Sequence, residues 1–176
     1  LPFSNTRNNP IKRRQHLAGR VLLKSIEPTF PLKLICIDGI GPPFLKDNSF
    51  HFSISHTSEF VVAIVSTSRI VGVDIEKVDA KIHRIKHKFI DFEEVAILNK
   101  LPLRDDEQIT LAWCVKEAVF KWYQRGGVDF IKHIRIREIK MLSDRILVDC
   151  DFIKSDTIKI SVWALRYQDC ILTWVE

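Results

Sequence analysis

Two carboxylates stand inside an apolar, β-branched stretch, VGVDIEKV, at residues 71–78. Successive side chains of an extended strand point to opposite faces, so Asp74 and Glu76 share one face while Val73 and Ile75 share the other. This alternation is typical of a strand with one solvated face. Oxygen ligands at such spacing can instead share one Mg²⁺, which combines a few carboxylates with phosphate oxygens and water. The metal interpretation requires a third ligand and a phosphate site elsewhere in the chain.

The third carboxylate is found in WCVKEAVFKW, residues 113–122. Trp113, Glu117 and Lys121 follow at four-residue steps and therefore share one face of a predicted helix. Glu117 could complete a three-carboxylate cation site with the strand pair, while Lys116 and Lys121 neutralise a phosphate bound by that cation. The plainer alternative is a surface ion pair between Glu117 and Lys121, worth roughly 0.2–0.5 kcal/mol.

A hydroxyl and an imidazole that could donate to phosphate oxygens lie in FSISHT, residues 52–57. Ser55 and His56 end a predicted strand just before a turn. The alternative is a serine that caps the turn beside a half-buried histidine. No Gly-x-Ser-x-Gly elbow surrounds the serine, which argues against hydrolase chemistry.

Composition predicts a soluble globular protein of the cytoplasm. The chain has 176 residues, of which 46% are hydrophobic and 28% charged. We expect no membrane association, because no apolar run approaches the roughly 20 residues of a membrane span. The four cysteines are scattered without metal-site spacing, which favours reduced thiols. The net charge of +5 favours anionic partners.

The first half of the chain is predicted to hold one helix and several strands. The helix spans residues 11–26, with Leu17, Val21 and Leu22 as its apolar stripe. LKLICID alternates as a strand, and HFSIS followed by EFVVAIVS indicates a hairpin.

The second half begins with the VGVDIEKV strand, after which KIHRIKHKFI and FEEVAILNK are predicted to be helical. The long helix DDEQITLAWCVKEAVFKWYQR carries acidic residues in its first turn and is predicted to close at Gly126 and Gly127. Four strand-like segments follow. Each half therefore combines helix with antiparallel sheet, which predicts an α+β fold with an N-terminal half, 1–68, and a C-terminal half, 69–176, that carries the metal site.

The motifs FSISHT, VGVDIE and WCVKEAVFK, in this order and preceded by HLAGRVLLK, resemble those of the 4′-phosphopantetheinyl transferase superfamily, specifically the monomeric surfactin-type group. The resemblance implies two similar α+β halves related by a pseudo-twofold axis, with coenzyme A in the cleft between them. It also implies the reaction, in which the 4′-phosphopantetheine arm of coenzyme A passes to a serine of an apo carrier protein. Adenosine 3′,5′-bisphosphate is released.

The resemblance also implies roles for individual residues. Asp74, Glu76 and Glu117 match the family's metal positions, for Mg²⁺ or alternatively Mn²⁺. His56 matches a contact to the α-phosphate and Ser55 a contact to the 3′-phosphate.

The helix lysines Lys116 and Lys121 match residues near the pyrophosphate and the incoming serine. Glu117, Lys121 and His56 are the expected catalytic residues. The proton acceptor stays open between Glu117, Glu94 and a metal-bound water.

The chain departs from the family pattern at three places, one of which is a short supply of basic residues upstream of the first helix. Pro42 stands where many relatives have a lysine that helps to hold the phosphates, and Cys114 stands where Ser or Thr is usual. Basic residues near the first helix are candidate replacements; we expect Arg13 and Arg20 to bind the cofactor, and Arg7 and Lys12 are further candidates.

The implied partner is an acidic acyl or peptidyl carrier protein, and we expect the chain to be a monomer. Two other functions fit parts of the sequence. A non-catalytic protein that binds coenzyme A or carriers would keep the cleft but lose the metal set, which this chain retains. A basic nucleic-acid-binding module fits the charge and KIHRIKHK, yet no recognised binding motif accompanies them, so we expect no nucleic acid.

Overall fold

The computed structural model describes residues 10–37 and 41–176. It has an α+β fold of helices and antiparallel strands, which confirms the predicted class. The elements are α1 (Pro10–Ile26), β1 (Ile35–Cys36), β2 (Phe44–Leu45), β3 (His51–His56), β4 (Val61–Ser66), β5 (Gly72–Lys77), α2 (Phe92–Leu98), α3 (Asp105–Tyr123), β6 (Ile134–Met141), β7 (Ile146–Ile153), β8 (Thr157–Tyr167) and β9 (Cys170–Val175).

Five of the strands form one antiparallel sheet in the order β5-β9-β8-β7-β6. Along β7 every second residue is buried, as expected for a sheet with one face on a core. Helix α3 supplies the other side of this core, with Leu111, Val115, Ala118 and Val119 buried. The shorter pairs β1-β2 and β3-β4 lie outside the sheet.

Helix α3 and strand β5 approach each other closely at Gly72. A Cβ atom at Gly72 would lie 2.1 Å from the carbonyl oxygen of Ala118 and 3.0 Å from Cβ of Trp122. Only glycine fits this contact between two backbones. The contact brings the carboxylates that follow on β5 against the side of α3.

The hairpin β3–β4 is joined to β5 through serine side chains. The backbone N–H of Val73 donates to Ser53 Oγ at 3.1 Å, and Ser53 is buried. A separate small core lies in this first part of the chain and consists of Leu23, Phe30, Leu45 and Phe52. The boundary at residue 69 and the pseudo-twofold relation stay predictions.

Helix α1 buries a different face from the one predicted. Leu17 and Val21 are 62% and 58% exposed, whereas Gly19 and Leu23 are buried. A Cβ on Gly19 would lie 3.1 Å from Ile54 Cγ2, so the small residue lets the helix rest on β3. Contact with the hairpin, rather than the apolar stripe, sets the orientation of α1.

Three local predictions also need correction. LKLICID forms a 3₁₀ turn at Leu32–Leu34 and then the two-residue β1, and its last residue lies outside the described part. KIHRIKHKFI forms short 3₁₀ turns at Ala80–Arg84 and Lys86–Lys88 instead of an α-helix. The left-handed residue that ends α3 is Gln124, with φ of 58°, and not a glycine.

Within residues 10–37 and 41–176 no helix combines the length and the apolar character that crossing a membrane requires.

Candidate active site

The carboxylate of Asp74 is the meeting point of three elements. It lies on β5 and is 2% exposed. Its Oδ1 accepts a hydrogen bond from Ser55 Oγ of β3 and another from Lys121 Nζ of α3, both at 2.6 Å. Its Oδ2 is buried and has no hydrogen-bond partner in the described chain. The face of β5 that carries Asp74 is therefore not a solvated face.

The predicted face of α3 lies along β5. Trp113 Nε1 donates to Glu76 Oε1 at 3.1 Å, and Lys121 pairs with Asp74 two helical turns further on. Glu117 lies on the same face, one turn from each of them. The structure thus places Glu117 on the face of α3 that meets β5, where it feels the charges of Asp74 and Glu76.

The electrostatics of this group show an excess of negative charge. Burial, reinforced by the charges of Asp74 and Glu76 and opposed by Lys121, raises the pKa of Glu117 to about 7. Burial also raises the pKa of Glu76, and the neighbouring Asp74 charge raises it further. A bound cation would relieve the repulsion between these carboxylates.

The residues fit a hard divalent cation by their chemistry. Asp74, Glu76 and Glu117 supply oxygen donors, and Asp74 Oδ2 is a buried acceptor that nothing else in the described chain satisfies. As they stand, however, no three His, Cys, Asp or Glu side chains among the described residues converge closely enough to hold a metal. Lys121 occupies one side of Asp74.

A second, basic group faces this site from α1. Lys12, His16 and Arg20 recur at four-residue steps and so lie on one helix face. Partial burial lowers the pKa of His16, and the charges of Arg20 and Lys12 lower it further, as does His56. Burial lowers the pKa of His56 as well, with Lys121 and Lys12 among the further causes. Cationic groups therefore act on both imidazoles, and on the pKa of His56 the Asp74 carboxylate opposes them.

A cavity of about 150 Å³ opens between α1, β3 and the loop at Pro43. Its walls combine polar groups with apolar ones, and they include Gln15, His16, Arg20, Ile37, Pro43, Phe52 and His56. Such a cleft, with cationic groups at an apolar wall, suits part of a phosphorylated organic ligand. Pro42, where the family pattern has lysine, directly precedes Pro43 of this wall.

The sequence predictions for α1 were only partly right. Arg20 lines the cleft, whereas Arg13 is exposed and is not among the cleft residues, because it lies about 10 Å further along the axis of α1. His16 was missed. Its four-residue spacing from Arg20 is the signal that could have found it. Arg7 lies outside the described residues.

Lys116 does not join the carboxylate group and corrects the expectation that it contacts phosphate. It is fully buried on the opposite side of α3, where Nζ donates to Glu94 Oε2 at 2.8 Å and to the carbonyl of Phe130 at 2.9 Å. Glu94 in turn accepts from the backbone N–H of Ile136 and of Asp91. This pair joins α3, α2 and β6, so Glu94 is not placed to accept a proton from a substrate at Asp74.

Comparison with known proteins agrees with this geometry. The family model of the 4′-phosphopantetheinyl transferase superfamily matches residues 70–170. Enterobactin synthase component D of Salmonella typhi is 33% identical over 115 residues, which are 62% of this chain and 47% of that protein. The 4′-phosphopantetheinyl transferase psf-1 of Bacillus pumilus is 31% identical over 123 residues, which are 66% of this chain and 52% of that protein.

The chain spans about half the length of the curated relatives it matches. The family match covers β5, α2 and α3 and most of the five-stranded sheet, and it therefore includes all three carboxylates and Lys121. This chain belongs to the 4′-phosphopantetheinyl transferase superfamily.

Proposed function

We propose that this chain transfers the 4′-phosphopantetheine arm of coenzyme A to a serine of an apo carrier protein. One observation carries the proposal: Ser55 and Lys121 meet on one oxygen of the buried Asp74, whose other oxygen is without a hydrogen-bond partner in the described chain. Glu76 and Glu117 stand beside it. Family membership supports the reaction class.

In the proposed reaction the serine oxygen attacks the β-phosphorus of coenzyme A. The bond from that phosphorus to the bridging oxygen breaks, and adenosine 3′,5′-bisphosphate leaves. The serine proton must pass to a base. Glu117, which stands with Asp74 and Glu76 at this site, is the proposed acceptor. A water molecule is the alternative acceptor.

The cofactor's phosphates are assigned to the cationic side of the site. Lys121 lies within reach of a group bound at Asp74, and His56 stands at the end of β3 next to Ser55. Arg20 and His16 line the adjoining cleft. Together they can offset the charge that develops on the departing phosphate oxygens. Lys116, Glu94 and Arg13 are left out of the proposed site.

The proposed metal ligands are Asp74, Glu76 and Glu117, with Mg²⁺ favoured and Mn²⁺ as the alternative. Bound between these oxygens, the cation would stabilise negative charge on the pyrophosphate. Lys121 would then share with the cation the neutralisation of the Asp74 carboxylate.

The proposal extends to the setting of the reaction. We infer a cytoplasmic monomer that uses an acidic acyl or peptidyl carrier, with coenzyme A held between an N-terminal half, 1–68, and a C-terminal half, 69–176. The excess of basic residues, 27 against 22 acidic ones, supports an acidic partner.

Mass spectrometry of apo carrier proteins incubated with this chain, coenzyme A and Mg²⁺ tests the function. We expect a phosphopantetheine adduct on the carrier serine that is absent when that serine is replaced by alanine. The chelator-treated reaction should give none. A folded protein that binds coenzyme A but modifies neither acyl nor peptidyl carriers would indicate a non-catalytic binding protein.

A further inference from the structure

A cavity of about 480 Å³ opens at the C-terminal end of α3. The last residues of α3 form one wall, the turn between β7 and β8 forms another, and Phe44 and Ile70 complete it. None of its lining residues belongs to the carboxylate group or to the cleft at His16. Its volume falls in the range of small-molecule sites, roughly 300–1,000 Å³. We call it the Tyr123 pocket, after one of its wall residues.

The floor of the Tyr123 pocket is a packed group of aromatic rings. Phe152 is 1% exposed, and its ring centroid lies 4.6 Å from that of Tyr123 and 6.1 Å from that of Trp122. Ile70 and Ile158, which are 42% and 45% exposed, add apolar surface to the walls. A flat apolar group bound here would remove this surface from water and would find rings on which to stack.

Two cations lie against one of these rings. Lys154 Nζ is 4.9 Å, and Arg125 Cζ 5.9 Å, from the centroid of the Tyr123 ring. Neither cation forms an ion pair in the part of the chain that the structure describes. Asp156 is the one carboxylate among the described residues that line the pocket. The pocket therefore carries a net positive charge that is available to an anion.

The position of these cations has a plainer explanation in the helix itself. Positive charge near the C-terminal end of α3 stabilises the helix, and Lys154 Nζ donates to the carbonyl of Gly126 at 3.2 Å, just beyond that end. Stabilisation of the helix does not require an open aromatic wall beside the cations, nor the exposure of Ile70 and Ile158. The combination of charge with an uncovered apolar wall indicates a ligand.

We propose that the Tyr123 pocket binds a small aromatic anion, with its ring on the aromatic floor and its carboxylate or sulfonate between Lys154 and Arg125. Charge-assisted hydrogen bonds from both cations fix the anionic group. Contacts with Trp122 and the two isoleucines select a flat ring over an inorganic anion. The site goes beyond the proposed transferase function and does not depend on it.

Titration calorimetry with 2-naphthoate tests the site, and the uncharged 2-naphthamide is the matched probe. The parent is compared with the pocket pair, Arg125→Gln/Lys154→Gln, and with the control pair, Arg84→Gln/Lys159→Gln. All four side chains are exposed, and both pairs remove two positive charges. Ile158→Glu places a negative charge on the wall and leaves α3 unchanged. Thermal melting checks that each variant folds.

We expect the parent to bind 2-naphthoate saturably and 2-naphthamide roughly tenfold more weakly, because loss of a charge-assisted contact costs at least that much affinity. The pocket pair and Ile158→Glu should each weaken 2-naphthoate binding by roughly tenfold or more, while the control pair stays within about twofold of the parent. The indole N–H resonance of Trp122 should shift on binding. Saturating coenzyme A should not displace the probe, since the pocket and the cleft at His16 share no lining residue.

Equal 2-naphthoate affinity in the pocket pair and the control pair would overturn the proposal, as would displacement of the probe by coenzyme A or the absence of saturable binding to the parent. A shift of the Trp174 indole in place of that of Trp122 would put the probe on another surface and would overturn it as well. If the pocket pair fails to fold, Ile158→Glu decides: parental affinity in that variant rules the site out, and a tenfold loss supports it.

Discussion

The ammonium of Lys121 lies 2.6 Å from Oδ1 of Asp74, whereas Oδ2 of the same carboxylate meets no hydrogen-bond donor of the described chain. The ion pair joins α3 to β5. It neutralises one carboxylate of a group of three and leaves Glu76 and Glu117 in mutual repulsion. This asymmetry, with one oxygen paired and one open, underlies the first three predictions.

Asp74→Asn is expected to lower transfer by roughly 100-fold or more, because it removes a charged oxygen where charge must be stabilised. The fold should persist, since an amide oxygen can still accept from Ser55. A transfer assay with a thermal melt measures both. Glu138→Gln, an exposed carboxylate on β6, is the control and should keep parental turnover. Near-parental turnover of Asp74→Asn would show that the Asp74 side chain serves the fold as a hydrogen-bond acceptor and that its charge is not needed for transfer.

The raised pKa of Glu117 predicts that the stability of the metal-free protein depends on pH. Its pKa is about 7 in the folded chain against 4.5 as the ordinary value. Between these values the folded state holds a proton that the unfolded state has lost, so the free energy of unfolding falls as pH rises, by roughly 1–3 kcal/mol. Denaturant unfolding at about pH 5 and about pH 8 in chelator measures the fall.

Glu117→Gln should abolish most of this pH dependence and should be more stable than the parent at about pH 8. Mg²⁺ should stabilise the parent at that pH and the variant much less. An unchanged slope in Glu117→Gln would assign the pH dependence to other groups.

Trp113→Phe keeps an aromatic ring in the core but removes the hydrogen bond to Glu76. Because a hydrogen-bond donor of this kind orients a carboxylate, we expect the affinity of the proposed cation site for Mn²⁺ to fall roughly tenfold. Electron paramagnetic resonance of Mn²⁺ binding provides the measurement. Trp163→Phe, whose ring lies under Arg145 on the sheet, is the matched control. Equal Mn²⁺ affinity in both variants would contradict an orienting role.

Lys116→Met is expected to destabilise the fold by roughly 3–5 kcal/mol, because it leaves the buried Glu94 carboxylate without its counter-charge. The double variant Lys116→Met/Glu94→Gln should recover much of that loss. Chemical denaturation of the parent and both variants checks this. A Lys116→Met protein of parental stability but weakened coenzyme A binding would restore the phosphate role that the sequence pattern predicted.

Local periodicity was enough to predict the parts of the site that lie within one element. Two-residue spacing put Asp74 and Glu76 on one face of β5, and four-residue spacing put Glu117 and Lys121 on one face of α3. These relations follow from backbone geometry. The order of the motifs was enough to indicate the family, which the comparison with known proteins confirmed.

Tertiary contacts decided which faces meet. The bond from Ser55 to Asp74 joins β3 to β5 and depends on the approach of both strands, which no local pattern encodes. Lys116 and Glu117 are sequence neighbours, yet the rotation of about 100° per helical residue sends the lysine to Glu94 and the glutamate towards Asp74 and Glu76. Likewise, Gly19 packs closely against Ile54, and this leaves Leu17 and Val21 exposed to solvent. Close packing therefore outweighed the apolar stripe in setting the orientation of α1.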